Sequence, residues 1–460
     1  MRDMLRFTTL TILISIITMA PVSGAEAVRI VSDIGDETAG LRVDQSNNVE
    51  AKVSLEIPAV GLTPVSLNGI DYQELQLPET EHLFAGEIAE DGKPALPVLS
   101  TYLAIPDQAG IDFTIEYSGY DIIEDVDIAP TQPSQPESGL EPVPFTLDQA
   151  AYSRDEFYPG TLAEVHDPVI MRDLRMVQIS MYPAQYNPVR RQLKIYRDLS
   201  VSVSFTGENV VNPKTTRHQY LSDGFYPIYR SMVANFDQFL STTEVRRGGY
   251  LILAKDMFVD TLQALADWKH KKGYSVYIAP TSEIDPSGDT PTQYEVFNYI
   301  QDAYETWEVP PEYVMIVGDE DNTGYTGITD YPYSGYASDH HYSMVEGSDY
   351  MPDIFVSRYS VDNMSQLRIA LAKILSYESS PNMDDPAHWL RGLSVAGNVY
   401  ATTPRITVLW VRQLLLQNGF THVDTSFRWS SGQSDPYLLG YFNSGPCFVS
   451  YRGWAGSAGW

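Results

Sequence analysis

Two acidic loops, one thiol and one glycine-rich turn hold the side chains best suited to chemistry. The stretch GDEDNTGYTGITD, residues 318–330, crowds Asp319, Glu320, Asp321 and Asn322 at the end of an apolar run. Asp319, Asp321 and Thr323 alternate ahead of Gly324, with Asp330 beyond, which is loosely the layout of an EF-hand calcium loop. The same residues spell Asp-x-Asp-x-Thr, the pattern of phosphatases in which the first aspartate, here Asp319, attacks phosphorus. A solvated acidic turn in an acidic protein accounts for them equally well. All three readings stay open.

The second loop, SDHHYSMVEGSDYMPD at 338–353, offers Asp339, Glu346, Asp349 and Asp353. Together the two loops give Asp319, Asp321, Asp339 and Asp349 as candidate calcium ligands, and a hydrated loop is the bland alternative. His340 and His341 are adjacent, so on a strand they face opposite ways and cannot share one metal. No HExxH pair and no second cysteine exists to favour zinc. In AGNVYATTPR, 396–405, Asn398, Thr402 and Thr403 lie where a helix N-terminus offers free N–H groups. Helix capping explains Thr403 alone, and Arg405 covers acidic surface. Cys447 is the single thiol, in GPCFVSY, with neither a cationic neighbour nor a helix start to lower its pKa. It reads as a buried residue rather than a nucleophile. Beyond that strand, Arg452, Gly453 and Trp454 sit where glycines would let backbone N–H groups approach an oxyanion.

Such loops need elements to hold them. From 28 to about 207 the pattern is β: Val177, Ile179 and Met181 alternate with Gln178 and Ser180, and Leu199, Val201, Val203 and Phe205 share a face. The proline-rich 129–145 segment reads as an exposed linker or long loop. From Gly249 the texture changes. GYLILA, YSVYIA, YVMIVGD, PDIFVSR, GLSVAGN and CFVSY read as strands, and helix-patterned stretches separate most of them. The helix after GYLILA ends in a basic turn and Gly273; the next opens with Pro291 in its first turn; Asp362 caps a third, striped by Met364, Leu367, Leu371, Ile374 and Leu375. Alternation of this kind predicts a mostly parallel sheet covered by helices, with working residues in loops beyond the strands' carboxyl ends.

The chain has 460 residues, 43% hydrophobic, with 60 acidic against 30 basic residues and a net charge of −30. That balance repels nucleic acid and anionic membranes. The N-terminus, basic MRDMLR, apolar Phe7 to Ala20, then small residues to Ala27, reads as a secretory signal peptide over 1–27. Its apolar run is short of the roughly 20 residues a span needs. No other segment predicts a stable span. The expected location is therefore secreted or cell-surface, with no internal disulfide to rely on.

Taken together, GYLILA, ADWKHKKGYSV, YVMIVGDED, SDHHYSMVEGSDYMPDIFVSRYSV and PCFVSYRGWAGSAGW resemble the gingipain family of secreted cysteine endopeptidases. Upstream, GKPALPVLSTYLAIP and residues 170–205 are similar to that family's β-rich propeptide. The resemblance implies a caspase-like α/β catalytic unit over 249–460, its N-terminal part only, after a β-rich, sandwich-like unit over 28–230 and a processing region over 231–248. It implies thiolate attack on the carbonyl of a protein or peptide substrate, no organic cofactor, and the chain's own propeptide as inhibitor. Arg230, Arg246 and Arg247 are the candidate processing residues. Tyr451 and Gly453 match the turn that precedes the family's catalytic His, and Trp454 stands where that His would be. The nucleophile is expected outside these residues, leaving the chain as given inactive. A non-catalytic exported surface or adhesion protein that keeps the fold is the alternative, and an Asp319 phosphatase the third.

Overall fold

The structure is a computed structural model that describes residues 29–31, 39–78, 83–134, 143–207, 211–216, 218–239, 244–287, 290–320, 327–332, 337–397, 402–427 and 436–453. The predicted signal-peptide segment, Asn398, Asp321 to Gly324, Trp454 and the middle of the proline-rich segment lie outside these.

In the α/β half the main strands are β1 (Gly249–Ala254), β2 (Ser275–Pro280), β3 (Pro311–Val317), β4 (Phe355–Tyr359), β5 (Arg391–Ala396), β6 (His422–Phe427) and β7 (Phe448–Arg452). The longer helices are α1 (Val259–Lys271), α2 (Gln293–Thr306), α3 (Met364–Ser379) and α4 (Thr402–Gln417). A first sheet has the order β2-β1-β3-β4 and a second β6-β5-β7, with every pairing parallel. GYLILA is apolar throughout because both faces of β1 are covered. Leu251 and Leu253 pack with Val296, Ile300 and Tyr304 of α2, while Ile252 and Ala254 pack with Leu262 and Leu265 of α1 and Leu367 of α3. Each such leucine, isoleucine or valine contributes about 1.5–3 kcal/mol on burial. The predicted α3 stripe is found, with Leu367 and Leu371 innermost.

Local chemistry sets the helix ends. Gly273, at φ +95, closes α1 in the left-handed region that a side chain would resist. Thr292 and Glu295 form a capping box at α2, so Pro291 precedes the cap and is not in the first turn. Asn363, not Asp362, caps α3, because its amide oxygen reaches the N–H groups of Ser365 and Gln366.

The N-terminal half is β-rich. One sheet runs 40–46, 50–56, 198–206, 110–117; another pairs 163–165, 174–181, 97–105 and 84–87. Their facing residues, among them Val53, Leu55, Val201, Val203, Leu99, Leu103, Val177 and Ile179, form one apolar core. Alternation along 198–206 is as expected, whereas 174–181 is covered on both faces: Ser180 is buried and bonds Ser100 and His166. The proline-rich segment also begins inside, since Ala129 and Thr131 are buried and hydrogen-bonded to residues 93–95. Among the described residues no helix is long and apolar enough to cross a membrane.

Candidate active-site edge and the docked β-rich unit

Both parallel sheets place their first strand centrally and build outward on either side, which opens a crevice at the carboxyl ends between β1 and β3 and between β5 and β7. At the second crevice Gly397 N–H donates to Arg452 O at 2.9 Å. The Tyr451 phenol lies so close to Gly397 and Gly453 that a Cβ at either would collide with it. A side chain at either place would have to displace that ring. The predicted turn residues Tyr451 and Gly453 are therefore gathered at a switch point, together with Gly397, which sequence reasoning missed. Trp454 lies outside the described residues.

Cys447 precedes the amino end of β7. Its N–H bonds Arg391 O and its half-buried thiol donates to Trp389 O at 3.0 Å. Five residues of strand, about 16 Å, separate it from the crevice. The nearby His388 ring instead has Nδ1 at 2.7 Å from Asp385 O.

At the first crevice Asp319 follows β3, with its carboxylate accepting from Glu320 N–H at 3.0 Å. Arg358 of β4 organises this end. It makes a two-pronged pair with Asp339 at 2.8 and 2.6 Å and donates to Gly318 O and Ile328 O. Asp339 thus has a guanidinium as its counter-charge. His340 and His341 are in a short 3-10 turn, not on a strand, and His341 stacks on Tyr331. Asp349 is elsewhere, held by Ile170 N–H, Asn212 and Met351 N–H. Burial raises its pKa. Among the described residues no group of three or more His, Cys, Asp or Glu side chains is placed to hold a metal.

What the sequence did not announce is where Asp349 points: into the β-rich unit. The 169–171 and 174–181 strands form a hairpin whose turn puts Arg172 at φ +45, a conformation a long side chain adopts only under constraint. The constraint is the α/β unit. Arg172 N–H donates to Asp353 Oδ1 at 2.8 Å, and its buried guanidinium donates to Pro311 O and Asp353 O between the rings of Phe225 and Tyr304. Asp353 also accepts from Val345 and Glu346 N–H. Burial still pushes its pKa up to about 7. Beside it, Lys214 pairs with Glu346 at 2.6 Å, both nearly fully buried, and Tyr304 OH joins Glu346. The only sequence signal was two acidic residues, Glu346 and Asp353, in a loop rich in apolar neighbours.

The candidate processing residues are exposed but not loose. Arg230 is on the 226–232 helix. Arg246 pairs with Glu244 at 2.9 Å, and Arg247 with Asp223 at 3.2 Å.

A β-rich unit is thus seated on an α/β unit of two parallel sheets, with glycines and a tyrosine gathered at a switch point. The family model for peptidase family C25 matches residues 243–460, and that for the C25 propeptide matches 38–240. The chain belongs to the gingipain family of cysteine peptidases. It is 27% identical to Gingipain R2 of Porphyromonas gingivalis over 384 residues, 81% of this chain and 50% of that protein. To Lys-gingipain of the same organism it is 26% identical over 427 residues, 88% of this chain and 24% of the relative. It spans half or less of the length of these curated relatives. Among solved structures it is similar to the complex of Porphyromonas gingivalis RgpB pro- and mature domains, at 30% identity and TM-score 0.37, covering 43% of this chain and 97% of that one. It is also similar to the Arg-specific cysteine proteinase gingipain R, at 20% identity and TM-score 0.39, covering 46% and 47%.

Proposed function

We propose that this chain is the precursor of an exported gingipain-like cysteine endopeptidase, kept latent by its own β-rich unit until cut between residues 228 and 249. The observation that carries this reading is the docking of the Arg172 hairpin and Lys214 onto Asp353 and Glu346. Four ionisable side chains are withdrawn from water to hold two units together that the sequence joins by only a short processing region. A permanent domain contact has less need of so polar a seam, since an apolar core of the same volume is as stable. A seam of charges can be taken apart. The chemistry is attack by a thiolate on a peptide carbonyl, with an imidazole moving the proton and backbone N–H groups at the β5–β7 crevice meeting the oxyanion.

Cys447 is not that thiolate, being spent as a donor to Trp389 O at the far end of β7. The test is peptidase activity of the natural precursor before and after cleavage in 228–249, with and without a thiol alkylating agent. Activity that rises on cleavage, falls on alkylation and survives Cys447→Ser fits the proposal. Activity indifferent to alkylation removes it. Trp454, standing at the family's His position, favours a second reading as a non-catalytic surface protein. A cleaved precursor that hydrolyses no peptide would select that one.

A further inference from the structure

The junction between the two units is fastened by one carboxylate. Glu312, the second residue of β3, is 1% exposed. Its Oε1 accepts from Gly224 N–H at 2.9 Å and its Oε2 from Gly248 N–H at 2.8 Å. Gly224 belongs to the tail of the β-rich unit, and Gly248 follows directly on Arg247. A Cβ on Gly224 would run into Glu312 Oε1, and one on Gly248 would stand 2.6 Å from Glu312 Cβ. Both glycines are there to let backbone reach the carboxylate.

Everything around this point pulls the same way. Residues 221–222 and 245–246 pair as a short parallel ribbon, in which Glu244 O accepts from Leu221 N–H and Arg246 O from Asp223 N–H. Gly249 N–H donates to Pro310 O at 2.8 Å. Ser222 N–H is anchored in turn on Asp173, next to Arg172 in the hairpin turn. Between 244 and 249, two carbonyls and two N–H groups are thus already engaged.

An endopeptidase binds its substrate as an added strand, through those same backbone groups. A segment whose groups are occupied must open locally before it can be cut, and the rate follows the open fraction. We infer that Glu312 is a clasp that keeps the Arg246–Arg247–Gly248 segment closed to endopeptidases, so that this junction is cut only after the 221–225 tail has lifted from β3. The inference rests on the precursor reading for its biological meaning, and not for its physics. It makes conversion ordered: release of the tail comes first, and the junction bond breaks second.

Trypsin, which cuts after arginine, tests it without calling on any activity of the chain itself. The full chain and its Glu312→Gln variant are digested side by side, and new N-termini at 247 and 248 are timed. A glutamine keeps the shape but turns an amide N–H₂ toward one of the two donors. Cleavage there is expected to rise about ten-fold or more, as the loss of a charge-assisted hydrogen bond implies. Asp223→Asn, which removes only the exposed partner of Arg247, is expected to change the rate less than the glutamine does. Equal rates in wild type and Glu312→Gln would overturn the clasp. Hydrogen exchange on the wild type needs no variant: Gly224 and Gly248 amides are expected to be slow and to open as one unit. A fast Gly248 amide beside a slow Gly224 would equally sink the idea. None of these outcomes depends on whether the precursor proposal holds.

Discussion

Arg172 is the residue on which most of the inter-unit contact turns. Its left-handed backbone and its guanidinium between two aromatic rings are tolerated because Pro311 O, Asp353 O and the Asp353 carboxylate all need it. Arg172→Ala should lower stability by about 2–4 kcal/mol, because it leaves the buried carbonyls of Pro311 and Asp353 without their donor, measured by urea unfolding of the whole chain. Lysine should rescue poorly, since one ammonium cannot reproduce the fork. Asp353 gives this seam a pH dependence. With a pKa pushed by burial up to about 7, the docked carboxyl holds a proton that a free one, near about 3.9, gives up. Its contribution to docking is therefore greatest at acid pH and declines as pH rises toward about 7. Melting temperature should fall from pH 5 to 7 and then level. Asp353→Asn should flatten that slope, and a wild-type profile that rises over this range contradicts the assignment.

At the scale of elements, α1 and α3 are locked by Glu378, which receives Trp268 Nε1 at 2.8 Å, Lys269 at 2.9 Å and Lys272 at 3.0 Å. Partial burial raises its pKa, but these donors outweigh that and bring it down to about 2. The stabilisation is present above about 4.5 and is lost as pH falls toward about 2. Glu378→Gln should cost about 1–2 kcal/mol at neutral pH, discounted for partial exposure, and the deficit should vanish in acid. The elements themselves were largely legible. GYLILA and YVMIVGD announce strands buried on both faces, and the α3 stripe announces which side packs. The ends were less so: Asn363 and Asp362 are chemically equivalent caps, and only backbone geometry chooses between them. The switch-point turn at Tyr451 and Gly453 was legible through order along the chain. The Arg172 seam was not, because Asp353 and Arg172 are 181 residues apart and nothing local marks their meeting.

Across the whole molecule, apolar surface is concentrated late in the chain. Ile406 and Trp410 on α4, with Tyr437 and Leu439, are each 59–71% exposed, and Phe448 and Val449 of β7 add to them. Ile406 and Trp410 are one turn apart on α4 and share an exposed face, and exposed apolar faces bind partners or copies of themselves. The chain should therefore self-associate in sedimentation velocity, more so at high salt, where the net charge of −30 is screened. Trp410→Glu with Ile406→Glu should restore a monomer; association unchanged in that double variant would place it elsewhere. The 50–56 strand closes its sheet only by pairing with 198–206, Ser54 meeting Ser200 across 146 residues. Long loops of this sort close slowly. A chain threading a narrow pore from its N-terminus would leave this sheet open until Thr206 had emerged, and would knit it only on the far side.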